Sequence, residues 1–376
     1  MSIGFQVVGS YSWLPGPCNS IVRPSVRQRP ETIHMSVQGA KRRPMSLSSS
    51  WHSLCGNRCD AMEVEDVVAV QGVMDSIDKA VREIARATRR AAIDGYLGSS
   101  KAASTNRSGD IQKALDVVAN DLMKRHLYES NAVSFMASEE EDEPLICPIS
   151  NGLTVVFDPL DGSRNIDASI PTGSIFAVLK SQSDPKKSIL QKGRGNILLA
   201  GYSLYSSATM LVWSSPGSGV HGYTLEDETS SWVHTHPNLR IPSRGQIYSV
   251  NDARFDDWPN GLKQYITTVR RGEGQTMKQY SARYICSLVA DFHRTLLYGG
   301  IAMNPRSHLR LIYEANPLSL VAEEAGGKGV NGLQNILDIQ PDELHQRLPL
   351  FLGSPEDIDE LMSYKDVTQQ AKTYAV

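Results

Sequence analysis

The segment Thr154-Val155-Val156-Phe157-Asp158-Pro159-Leu160-Asp161-Gly162-Ser163 constrains this chain more than any other. Its β-branched start reads as a buried strand, because branched side chains pack well on a pleated surface. At its end, Asp158 and Asp161 can converge on one hard cation, since carboxylate oxygens suit magnesium or manganese. Pro159 stiffens the turn, and Gly162 lets the backbone come close to an anion. Arg164-Asn165-Ile166-Asp167 reads as the first turn of a helix, so the amides after Gly162 would point at that anion. Cation pocket and phosphate pocket in one loop are what phosphate-ester hydrolysis requires.

Composition excludes other classes. The chain has 376 residues, enough for two packed units or one large one, with 40% hydrophobic and 21% charged content. A net charge of −3 and the lack of a basic stripe with interleaved aromatics argue against nucleic acid. No apolar run reaches membrane-spanning length. Five cysteines make no disulfide ladder, and Cys55-x-x-x-Cys59 has no matching pair for zinc. Residues 1–60 differ in kind: seven Lys/Arg and one acid, Glu31, precede Asp60, with Ser48-Ser49-Ser50 among scattered prolines. Such an acid-poor, Arg- and Ser-bearing leader reads as an organelle import sequence rather than a secretory signal.

Beyond the leader, apolar residues at helical spacing (Val67, Val70, Met74, Ile77, Val81, Ile84, Ala87) predict a first helix from Glu63 to about Gly98. Asp110 is the expected N-cap of a second, running to about Tyr128. Strands are expected at Leu153–Phe157, Ser174–Leu179, Asn196–Tyr205, Thr209–Trp213 and Ile247–Val250, with helices at Gly261–Val269 and Ala282–Leu297. Two helices followed by mixed strands and helices argue a layered α/β architecture. The expected division is a leader over 1–60, an N-terminal α/β half over 63–240 and a C-terminal α/β half over 241–368.

Taken alone, Glu139 to Glu143 reads as a solvated acidic loop and Glu314 as a surface charge. An ordered series of further motifs changes that. Leu115-Asp116-Val117 with Asn120-Asp121-Leu122, Ser138-Glu139-Glu140, the Asp158 loop through Thr172-Gly173-Ser174, and Tyr248-Ser249-Val250-Asn251 follow one another. Ala282-Arg283-Tyr284, Ala290-Asp291 with His293-Arg294-Thr295, Tyr298-Gly299-Gly300, Asn316-Pro317 and Gly353-Ser354-Pro355 continue them. From about Glu63 to Tyr364 the chain thus resembles fructose-1,6-bisphosphatase of class 1, in the metal-dependent, lithium-sensitive sugar and inositol phosphatase superfamily.

The resemblance implies an α/β/α/β/α layered sandwich and hydrolysis of fructose 1,6-bisphosphate to fructose 6-phosphate and phosphate by a metal-activated water. It implies that Glu139, Asp158, Asp161 and Glu314 ligate Mg2+, with Mn2+ as a possible substitute. The Leu160 carbonyl adds an oxygen, and Asp116 completes a weaker third position. Glu140 with Asp121 would orient and deprotonate the attacking water, and Gly162 and Ser163 amides would hold the 1-phosphate. Asn251 and Tyr284 match residues that hold the 6-phosphate. Arg283 matches an arginine reaching in from a neighbouring subunit, hence a homo-oligomer, tetramer or dimer. Arg310 matches an arginine on the phosphate and metal side, although its leucine neighbours also suit a packed strand.

The chain departs from the family pattern near the sugar. Asn304 stands where a tyrosine is usual, and His308 stands in the place of a lysine after a shortened loop. Arg254 stands near another expected tyrosine, and Arg164 replaces a second serine. Histidine is only partly protonated near neutral pH, so Arg254 is expected to restore the lost charge. Gly152-Leu153 replaces the lysine-tyrosine pair of AMP-inhibited relatives. The stretch Ser181 to Gly195 lacks the cysteine-bearing loop of light-regulated plastid forms. A redox-insensitive second enzyme of the chloroplast stroma is the reading these features support. A sedoheptulose 1,7-bisphosphatase, or a non-catalytic homologue with a regulatory binding role, is its rival.

Overall fold

The computed structural model describes residues 64–98, 113–149 and 152–369. The leader, Cys18, Cys55, Cys59 and the proposed cap Asp110 lie outside the described residues. Helices α1 (Val64–Arg89), α2 (Ala91–Asp94) and α3 (Ala114–Glu129) come first. They precede an eight-stranded sheet in the order β2-β1-β3-β4-β5-β6-β7-β8. These strands are β1 (Val133–Ser138), β2 (Leu145–Ile146), β3 (Leu153–Asp161), β4 (Thr172–Lys180), β5 (Ile197–Tyr205), β6 (Thr209–Ser215), β7 (Gly219–Glu226) and β8 (Ser231–Leu239). The short helix α4 (Pro185–Ile189) sits in the β4–β5 connection. β1 pairs in parallel with β3, and from β3 to β8 the ladder is antiparallel.

All strands of the second sheet come after residue 241. Its order is β10-β9-β11-β13-β12, from β9 (Ile247–Ser249), β10 (Ser281–Ala282), β11 (Ile301–Arg310), β12 (Lys328–Val330) and β13 (Arg347–Gly353). Helices α5 (Asn260–Arg271), α6 (Leu288–Tyr298), α7 (Asn316–Glu324) and α8 (Pro355–Ser363) complete the C-terminal part.

Side-chain alternation along the strands sets the layers, because successive strand residues point to opposite faces. Leu211 and Trp213 of β6 pack with α1 and α3, around Val73, Ile77, Leu115 and Met123. Their neighbour Val212 packs on the other side with Phe292 of α6 and Val321 of α7. Phe351 of β13 joins Tyr265 of α5 and Leu361 of α8 in a further core. The order is therefore helices, sheet, helices, sheet, helices, the five-layer arrangement expected from the resemblance. The middle helices α6 and α7 bury apolar surface from both sides, so the two halves share a core and fall in one unit.

Four elements differ from expectation. The first helix stops at Arg89, short of Gly98, and a separate turn of helix, Ala91–Asp94, follows it. The span Ala282–Leu297 is not one helix: Ser281–Ala282 extends alongside β9, and the helix starts only after Ser287, which caps it by accepting from the Ala290 amide. β3 continues beyond Phe157 through the acidic loop to Asp161. The hairpin β7–β8 adds an edge to the first sheet that no strong turn motif announced. Among the described residues no helix is long and apolar enough to cross a membrane.

Candidate active site

Two residues three apart on a regular strand would face opposite sides of the sheet. In β3 the register runs Asp158↔Ile175 and then Asp161↔Gly173, so three steps on one strand match two on the other. This bulge inserts one residue and turns both carboxylates to the same side. Asp158 is thereby set on the face of Val156, which packs with Ile312 and Tyr313.

The third acid comes from that facing segment. Residues Leu311–Ala315 form a wide π-type turn immediately before α7, a local geometry that frequently marks functional positions. It brings Glu314 against the β3 carboxylates, and oxygens of Asp158, Asp161 and Glu314 all lie within 4.8 Å of one another, each residue buried. Glu139 follows directly after β1, the strand beside β3, and its amide donates to the Phe157 carbonyl at 3.0 Å. Its carboxylate pairs with the buried Arg310 guanidinium.

Fixed donors hold each acid. Asp161 accepts from the Ser287 hydroxyl at 2.6 Å and from the Val289 and Leu288 amides at 2.9 and 3.2 Å, at the start of α6. Glu314 accepts from the Arg310 amide at 2.6 Å, and Asp158 accepts from the Leu160 amide at 3.0 Å. Burial is the main force on the group. It pushes Asp158 well above the usual carboxylate range, and the charges of Glu139, Glu314, Asp161 and Glu140 push it further. Burial likewise raises Asp161. Glu314 is pushed up to about 8 by burial, with Arg310 opposing and the Glu139 and Asp161 charges adding. Such crowding of anionic oxygens is costly unless a cation neutralises it.

On helix α3 the inward face carries Leu115, Asp116, Ala119, Asn120 and Met123. Asp116 accepts from the Lys113 amide at 2.7 Å while its other oxygen, buried, has no hydrogen-bond partner. Burial raises Asp116 to about 7; the Lys113 amide and Ser163 hydroxyl oppose and Glu139 adds. Asp121 corrects an expectation. Its side chain is 66% exposed and pairs with Lys124 at 3.1 Å. About 500° of helical turn separates it from Asp116, so the two cannot share a face. The acid that α3 turns inward is Asp116, and Asp121 is not placed to handle a water at the cluster.

Gly162 adopts φ +75°, a left-handed conformation, and a Cβ there would lie 3.0 Å from the Ser287 Cβ. Glycine therefore permits both the turn and the approach of α6. A 3-10 helix, Ser163–Ala168, follows; Arg164 on it is exposed.

The expected sugar-side residues sit on three segments. Asn251 caps the turn Asp252–Asp257, accepting from the Ala253 amide at 3.2 Å, and half-buried Arg254 lies on that turn. Arg283 is exposed, and its guanidinium donates to the Ala282 carbonyl at 2.8 Å. The Tyr284 hydroxyl donates to Cys286 Sγ at 3.2 Å. Asn304 and His308 are both half-buried; Asn304 is the last paired residue before a register break that ends at Leu309 in β11, and His308 lies within it.

Sequence reasoning missed Ser287, whose hydroxyl touches the site directly; Ser-x-x-Ala at a helix start was the available signal. A cavity of about 740 Å³ lined by Asp66, Cys147, Gly152 and Lys180 touches none of the clustered acids. Chemistry rather than cavity size therefore locates the site. Among the described residues the Asp158, Asp161 and Glu314 group is the one cluster of three potential metal ligands. Its donors are all buried carboxylate oxygens, and a further buried oxygen, on Asp116, makes no hydrogen bond. This set fits a hard divalent cation.

Comparisons agree with this chemistry. Residues 59–237 match the family model for the N-terminal domain of fructose-1-6-bisphosphatase, and residues 241–366 match that for its C-terminal domain. The chain is 42% identical over 292 residues to the class 1 fructose-1,6-bisphosphatase of Chloroherpeton thalassium, covering 74% of this chain and 82% of that protein. It is 43% identical over 318 residues to chloroplastic fructose-1,6-bisphosphatase 1 of Arabidopsis thaliana, covering 78% of this chain and 75% of the relative. Among solved structures, Leishmania major fructose-1,6-bisphosphatase in holo form superposes with a TM-score of 0.77 at 35% identity, over 86% of this chain and 99% of that one.

Proposed function

The chain belongs to the fructose-1,6-bisphosphatase family, and on that premise we propose that it hydrolyses fructose 1,6-bisphosphate to fructose 6-phosphate and phosphate with magnesium. The observation that carries this reading is the convergence of Asp158, Asp161 and Glu314 oxygens within 4.8 Å in a buried setting.

Glu139, Asp158, Asp161, Glu314 and the Leu160 carbonyl would hold Mg2+, or Mn2+ in its place, with Asp116 at a weaker third position. Bound divalent ions neutralise phosphate charge, lower the pKa of water and stabilise the leaving alkoxide. The amides after Gly162 would orient the 1-phosphate so that displacement proceeds in line. Glu140 would take the proton of the attacking water, with Asp116 replacing Asp121 as its helical neighbour. On the opposite side Asn251, Arg254 and Tyr284 would bind the 6-phosphate. The exposed Arg283 would reach the site of a second subunit in a homo-oligomer.

A longer sugar bisphosphate, such as sedoheptulose 1,7-bisphosphate, is the second reading. It is favoured by the register break between Asn304 and Leu309, where the usual tyrosine and lysine are replaced. The chloroplastic relatives and the acid-poor leader support import into a plastid and work in the stroma. Phosphate release by the full chain should be compared on fructose 1,6-bisphosphate, sedoheptulose 1,7-bisphosphate and inositol 1-phosphate, with and without Mg2+. The proposal expects the first to have the highest kcat/KM; a preference for the second selects the rival, and no turnover of any of them defeats the enzyme reading.

A further inference from the structure

We propose that Asn120 and Glu141 are positioning residues that clamp the Ser138–Glu141 turn so that Glu139 and Glu140 face the site. The inference rests on the reading of Glu139 as a metal ligand.

Asn120 lies on the inner face of α3 and is 5% exposed. Its Oδ1 accepts from the Ser138 hydroxyl at 2.7 Å, and its Nδ2 donates to Glu141 Oε1 at 2.8 Å. The hydroxyl of Ser138 also accepts from the Glu140 amide at 3.2 Å. One buried amide thus grips both ends of the turn. Its orientation is fixed, because a carboxylate needs a donor and the serine proton needs an acceptor.

Other elements converge on the same turn. The Glu141 amide closes it on the Ser138 carbonyl at 3.3 Å, and Lys124 pairs with the Glu141 carboxylate. His345 Nε2 lies 3.1 Å from the Glu141 carbonyl. This convergence has a physical reason. Glu139 and Glu140 are adjacent anions whose charges act on buried Asp158. Arg310 offsets the Glu139 charge, and repulsion among the remaining acids would push the turn away from the geometry in which they share a cation. Glu141 is the handle by which α3 pulls it back, since its carboxylate is held by Asn120 and Lys124. Partners that orient metal ligands in this way are worth about 10–100-fold in metal affinity.

The test is Mn2+ binding by the metal-stripped full chain, read by electron paramagnetic resonance. Asn120→Ala is expected to weaken the tightest Mn2+ binding by about tenfold or more. It should raise the Mg2+ concentration for half-maximal activity by the same factor, and leave KM for the bisphosphate at saturating Mg2+ within about twofold. Glu141→Ala should behave like Asn120→Ala, whereas Glu141→Gln, which keeps the acceptor for Asn120 Nδ2, should restore binding to within about threefold. The Glu141 pair decides the matter if Asn120→Ala does not fold. Wild-type affinity in Glu141→Ala, or equal loss in Glu141→Gln and Glu141→Ala, overturns the clamp alone. No Mn2+ binding by the wild type overturns the metal reading, and the clamp with it.

Discussion

The Ser287 hydroxyl donates to Asp161 Oδ2 at 2.6 Å, joining the first turn of α6 to the end of β3 across 126 residues of sequence. The same hydroxyl accepts from the Ala290 amide at 3.3 Å, so one side chain caps the helix and orients a proposed metal ligand. Ser287→Ala should lower stability by about 1 kcal/mol, the usual worth of a cap. It should also weaken Mg2+ activation by about tenfold, as loss of a ligand's outer partner does. Thermal unfolding and Mg2+ titration of activity check both numbers, with Ser287→Thr expected to retain most of each.

Asp158→Asn separates stability from activity. In the metal-free protein it replaces a carboxyl that burial and like-charged neighbours make costly with a neutral group of the same shape, so the unfolding midpoint in chelator should rise. Activity should fall by on the order of 10³-fold, because several kcal/mol of charge stabilisation depend on the acid. Mg2+ should raise the midpoint of the wild type but not of the variant, since a ligand stabilises only the state that binds it. A midpoint that falls in chelator would mean that the cluster is not strained by its own charge.

His293 supplies a pH dependence remote from the acids. It is buried on α6 and shares a 2.8 Å hydrogen bond with the Tyr202 hydroxyl through Nδ1. Burial lowers its pKa from 6.5 to about 4, with the charge of His236 adding. The folded state thus binds its proton less readily than the unfolded chain. Stability from this group is complete above about pH 6.5 and is lost as pH falls toward 4. At about 1.4 kcal/mol per pKa unit the loss approaches roughly 3 kcal/mol. Urea unfolding at pH 7.5 and pH 5 should show about 2 kcal/mol of this loss in the wild type and a smaller one in His293→Phe.

Arg254 is the expected source of positive charge where His308 stands in the place of the family's lysine. Arg254→Ala should raise KM for fructose 1,6-bisphosphate by about 10- to 100-fold, the worth of a charge-assisted contact, with kcat little changed. Steady-state kinetics at saturating Mg2+ measure this directly. An unchanged KM would remove Arg254 from the 6-phosphate site.

The Asp158–Ser163 loop was legible in the sequence because its residues are consecutive and each type does one job. Glu139 and Glu314 were not legible from their own surroundings. One sits in an acidic loop and the other between Tyr313 and Ala315, and only the ordered motifs of the family tied them to Asp158. The bulge that turns Asp158 and Asp161 to one face leaves no mark in composition, because it depends on the register with β4. Asp121 was misplaced although the information was present. At about 100° per residue, helical periodicity puts Asn120 and Asp116 on one face, with Asp121 about 100° round from the first and about 140° from the second. The apolar pattern overstates helix α6 for a related reason: Ser287 is a good N-cap in the middle of it, and Ser281 and Ala282 pair with β9 instead.

The central claim is that the buried carboxylates act as a divalent-cation site for hydrolysis of a sugar bisphosphate. Its most direct measurement is phosphate release from fructose 1,6-bisphosphate by the full chain while Mg2+ is titrated from chelator upward, beside Asp161→Asn. Turnover that appears only with Mg2+, and that the variant lacks at every Mg2+ concentration, is the result expected. Turnover persisting in chelator, or undiminished in Asp161→Asn, would contradict it.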